Sequence, residues 1–63
     1  MKPDLAITRE KKRDDGFTHV EIDTKKATYQ GHRWKDMDSF GRRKFENYLI
    51  LSRSHERLRI HYE

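Results

Sequence analysis

The stretch DMDSFGRRKFENYLILS, residues 36–52, decides how this chain folds. It carries two of the three phenylalanines and the densest apolar run of a very polar sequence. Asp36, Asp38 and Ser39 stand just ahead of the run, where their side-chain oxygens can accept from the open N–H groups of a first helical turn. At about 100° per residue, Met37, Phe40, Gly41, Lys44, Phe45, Tyr48, Leu51 and Ser52 share one side. Arg42, Arg43, Glu46, Asn47 and Arg53 fall largely on the other. The spacing predicts one amphipathic helix. Two details resist it: Ile50 lands on the polar side, and Gly41 in the first turn costs about 1 kcal/mol against alanine. A rival reading ends the helix near Asn47 and makes 48–52 a strand, hairpinned through 53–56 to the last residues.

The segments on either side are β-like. Residues 1–4 are expected to fray, and Leu5–Thr8 has short strand character with Leu5 and Ile7 on one side. Arg9–Gly16 reads as a charged loop closed by the Asp15-Gly16 turn signal. In Phe17–Asp23, Thr18, Val20 and Ile22 face one way and Phe17, His19 and Glu21 the other, so a hairpin is expected across that loop. Thr24–Lys26 is a polar turn, and Ala27–Trp34 a weaker third strand interrupted by Gly31. After the helix, 52–56 connect to a final strand in which Leu58, Ile60 and Tyr62 alternate with Arg57, Arg59 and His61. The order β-β-β-α-β predicts a small two-layer α+β domain over 1–63, with an antiparallel sheet and the helix packed on one face. Leu5, Ile7, Val20, Ile22, Met37, Phe40, Phe45, Tyr48, Leu51, Leu58 and Ile60 are the expected core.

Composition limits what such a domain can do. Leu, Ile, Val and Phe supply 12 of 63 residues, so the core is thin and the fold marginal. Fifteen basic residues against 11 acidic ones leave a net charge of +4, with the signs interleaved as on a solvated folded surface. Without cysteine there is neither a disulfide nor a thiolate metal site, and dimerisation or a partner would supply the missing support. The absence of a signal-like or membrane-spanning apolar run makes a cytoplasmic location the expectation.

A helix on one side leaves the other sheet face open. Arg57, Arg59 and His61 are expected to project there from the last strand, Phe17, His19 and Glu21 from the second, and Tyr29 or Trp34 from the third. Cations interleaved with flat rings suit single-stranded bases and their phosphates. From Arg42 to Arg59 there are six basic residues and two acidic ones, so the C-terminal half is the basic half. A second basic surface is the polar back of the helix, with Arg42, Arg43 and, one face onward, Arg53; Lys44 is expected to run along the core edge. The plainer account is solvated surface, with Glu21 or Glu56 pairing with Arg57 or Arg59.

The four histidines, at 19, 32, 55 and 61, show no H-E-x-x-H spacing. A cross-strand His19–His61 cluster is geometrically allowed. With Arg59 and Glu21 it could be drawn as an acid–base site for RNA cleavage, although His beside Glu and Arg is ordinary surface chemistry. Asp14-Asp15 and Asp36–Asp38 suit turns and caps better than a metal. Trp34, flanked by Arg33 and Lys35, is either a plug under the helix N-terminus or an exposed interface anchor.

The expected function is that of a small non-enzymatic module without cofactor or metal, binding RNA or single-stranded DNA. Its contacts would be Arg42, Arg43, Arg53, Arg57, Arg59, His61 and His19. The alternative is a protein-binding regulator or inhibitor. It would engage an acidic partner or a second copy through Tyr29, His32, Arg33, Trp34 and Lys35 and the basic helix back.

Overall fold

The structure, a computed structural model, describes residues 2–63. Strands β1 (Ile7–Lys12), β2 (Phe17–Ile22) and β5 (Arg57–Tyr62) form a sheet in the order β1-β2-β5. Strands β3 (Thr28–Tyr29) and β4 (His32–Arg33) form a separate small hairpin, and helix α1 (Ser39–Ser52) follows a 3-10 turn at Trp34–Asp36. The domain is a small α+β unit with the elements in the expected order. The helix runs through 48–52 as one piece, which excludes a strand there.

Local chemistry sets each boundary. Asp38 caps α1, its Oδ1 accepting from the Gly41 amide at 2.7 Å, and the chain leaves the helix at Arg53, whose amide donates to the Ile50 carbonyl. At the β3–β4 turn, Gln30 and Gly31 both have positive φ (51° and 80°), the backbone of a tight primed turn. The predicted third strand is therefore a two-by-two-residue hairpin outside the main sheet, because the chain reverses on itself at Gly31.

Sheet direction departs from expectation. β1 and β2 are antiparallel, but β2 and β5 run parallel, in register from Phe17–Arg57 to Ile22–Tyr62. The sheet is mixed, not wholly antiparallel. The cause is the crossover: α1 is about 21 Å long and carries the chain back to the end where β2 began, so β5 repeats the direction of β2.

The first strand starts two residues later than expected and takes in the first half of the charged run that reads as loop. Its register shifts between Ile7 and Arg9. That irregularity lets Ile7 pack on the core while Arg9 and Lys11 lie beside Glu21 and His19. Of the expected frayed end, Met1 lies outside the described residues. Asp4 is tied to Thr28 by backbone hydrogen bonds of 3.0 and 2.9 Å.

The core is Val20, Ile22, Ala27, Phe45 and Leu49, all fully buried, with Leu5, Ile7, Tyr29, Trp34, Met37, Leu58 and Ile60 packed around it. Three expected core residues are not in it: Phe40, Tyr48 and Leu51 are 65%, 41% and 74% exposed. The helix is turned by roughly a quarter of a turn from the face its apolar pattern suggests. It presents Phe45 and Leu49 to the sheet. Two aromatics from the hairpin segment fill the remaining space, Trp34 edge-on to Phe45 at 5.4 Å and Tyr29 edge-on to it at 6.5 Å. A sheet of three short strands has no room for a further row of helix side chains.

Candidate nucleic-acid interface

Because Thr18, Val20 and Ile22 point into the core, Phe17, His19 and Glu21 point out of the opposite sheet face. The strand registers then decide their neighbours. Arg57, Arg59 and His61 stand beside them from β5, and Lys11 and Arg9 pair with His19 and Glu21 from β1. Arg13 continues the β1 row where the chain turns, its amide donating to the Phe17 carbonyl at 2.8 Å. Arg9, Lys11, Arg13, His19, Glu21 and His61 line a shallow depression of about 340 Å³.

The flat groups on this face are held in pairs. The Arg59 guanidinium lies over the Phe17 ring, 4.2 Å from its centroid. His19 and His61 meet edge to edge in nearly one plane, with centroids 5.3 Å apart and planes within 16°. Their facing nitrogens, His19 Nδ1 and His61 Nε2, are 3.1 Å apart, and His19 Nε2 is 3.4 Å from Asp15 Oδ2. With both rings neutral, His19 donates to Asp15 through Nε2, so its Nδ1 accepts a hydrogen bond from His61.

Charge on the face is unbalanced. Arg9, Lys11, Arg13, Arg57 and Arg59 meet the carboxylates of Asp15, Glu21 and Glu63. Arg9 reaches Glu21 only at 4.0 Å. The Phe17 amide, donating to Asp15 at 2.9 Å, holds that carboxyl below the usual carboxylate range, and His19 acts in the same direction. Glu63 is pushed the other way, by a shared hydrogen bond and like charge with Glu21. Its folded-state affinity for a proton is therefore raised.

The expected contacts are thus divided between two layers. Arg57, Arg59, His61 and His19 come together on the open face. Arg42, Arg43 and Arg53 lie on the helix, across the core from it. Arg42 is occupied: its Nε donates to the Trp34 carbonyl at 3.3 Å and its guanidinium sits 4.8 Å from the indole centroid. Arg53 is paired with Glu10 at 2.7 Å, which raises its proton affinity further. Arg43 is exposed. The chain matches no protein-family model, no curated protein and no solved structure.

Tyr29 and Trp34 are away from the open face, in the aromatic cluster on the helix side. Trp34 is sandwiched between Arg42 and Tyr62, whose ring stacks on it at 4.4 Å. The Tyr62 hydroxyl donates to Glu46 at 3.2 Å, and burial together with that carboxylate keeps the phenol protonated well beyond the usual tyrosine range. His32, Arg33 and Lys35 are exposed beside this cluster. Sequence reasoning missed Arg9, Lys11 and Arg13 as face residues. Their every-second-residue spacing was the available signal, but with no apolar partner row it reads as a solvated loop.

Proposed function

We propose that the protein is a small, non-enzymatic nucleic-acid-binding module, acting in the cytoplasm and holding RNA or single-stranded DNA on its open sheet face. The observation that carries this reading is the union of five cations with paired planar groups on one face of a three-stranded sheet. Phosphates would be neutralised by Arg9, Lys11, Arg13 and Arg57. Bases would lie on the Arg59 guanidinium, already held flat by Phe17, and on the flat His19–His61 pair. The face measures about 15 Å by 20 Å from strand spacing and rise, which accommodates two or three bases. Arg42 and Arg53 have structural work on the helix and are left out of this contact set.

The test is an amide-shift titration with a short mixed-sequence RNA at low and then moderate salt. Shifts are expected on 9–13, 17–21 and 57–61, weakening as salt rises. Arg57→Ala and Lys11→Ala should each reduce the salt slope by roughly 0.7 per lost single-strand phosphate contact. No shift at low salt, or shifts confined to the helix, would overturn the proposal.

A further inference from the structure

The layer opposite the open sheet face carries an apolar surface that packing leaves uncovered. Phe40, Tyr48, Ile50 and Leu51 are 65%, 41%, 41% and 74% exposed, and all four belong to α1. At 3.6 residues per turn they fall within an arc of about 160° centred opposite Phe45 and Leu49. From areas of roughly 150–250 Å² for large side chains, the uncovered part comes to about 400 Å², the size of patch that marks interaction sites on monomers. For a chain this polar, such a concentration on one helix face is unusual.

The charges within the arc are both positive. Arg43 lies between Phe40 and Ile50 in projection, and the Lys44 ammonium sits 4.6 Å from the Phe40 ring centroid. The helix's one carboxylate, Glu46, is turned aside and accepts from Tyr62. A second copy of this chain fits the surface poorly, because self-docking would confront Arg43 and Lys44 with the same cations, with no carboxylate to meet them.

We infer that this face of α1 docks an acidic amphipathic segment of another protein. The segment's apolar side chains cover Phe40 and Leu51, and its carboxylates take Arg43 and Lys44. Helix-in-groove and helix-on-helix recognition use this combination of apolar anchors and flanking charge, with charge fixing partner choice. The protein then has two working faces, a polyanion face on the sheet and an acidic-peptide face on the helix, separated by the core.

The probe is a synthetic 14-residue amphipathic peptide with leucines on one face and glutamates flanking them, titrated into the full chain. Amide shifts should gather on 40–51 and leave 9–13 and 57–61 unmoved. Replacing the peptide's glutamates with glutamines should weaken binding roughly tenfold. Phe40→Ser and Leu51→Ser remove exposed side chains, so they should fold normally, bind RNA as the parent does, and lose the peptide. Equal affinity for the two peptides, binding retained in both serine variants, or no binding overturns the inference. So does sedimentation showing that the free chain dimerises through this face.

Discussion

Leu49 and Leu51 are two residues apart on α1, and their truncation should have opposite outcomes. Leu49 is fully buried against Val20, Ile22 and Phe45, whereas Leu51 is 74% exposed. Removing a buried leucine's methyl groups loses their transfer energy and leaves a cavity, so Leu49→Ala should cost about 2–5 kcal/mol. A chain of 63 residues has a total stability of roughly 3–9 kcal/mol, so the variant should lie close to its unfolding threshold. At about 4–8 °C per kcal/mol for a domain this small, Tm should fall by at least ~8 °C. Leu51→Ala trims a mostly exposed side chain and should stay within about 0.5 kcal/mol of the parent. Urea unfolding followed by Trp34 fluorescence and far-ultraviolet circular dichroism measures both. If Leu51→Ala is the more costly change, the helix is rotated the other way, and both the core and the proposed docking face are wrong.

Asp38→Ala removes the side-chain acceptor of the Gly41 amide and should cost about 1 kcal/mol, read in the same urea experiment, with Asp38→Asn recovering most of it. Tyr62 binds its proton more tightly folded than unfolded, because of burial and Glu46. The resulting stability is present below the ordinary tyrosine value near 10 and is lost as pH rises above it. Thermal melts from pH 8 to 11 should therefore show alkaline destabilisation that is smaller in Tyr62→Phe. A His19→Ala/His61→Ala double variant should bind RNA several-fold more weakly at fixed pH and salt, because the paired rings offer a flat surface to a base. Unchanged affinity, measured by fluorescence anisotropy, would remove the histidine pair from the binding face.

Much of this molecule is legible in its sequence. Strict alternation in 17–22 and 57–62 fixes which side chains share a sheet face, because successive strand residues must point to opposite sides. His19, Arg57, Arg59 and His61 are therefore assembled on one surface by period alone, and Asp38 marks the start of the helix by its hydrogen-bonding chemistry. Tertiary structure decided three other matters. The direction of β5 depends on the helical crossover, which no local pattern in the strand records. The β1 cations join the face because hydrogen bonding to β2 extends a charged run that has little strand propensity of its own. Rotation of α1 is the third. Its residues offer apolar side chains nearly all the way round, so periodicity does not single out the inward face. Trp34 and Tyr29, arriving from the hairpin segment, occupy the space beside Phe45 and leave Phe40 and Leu51 to face solvent.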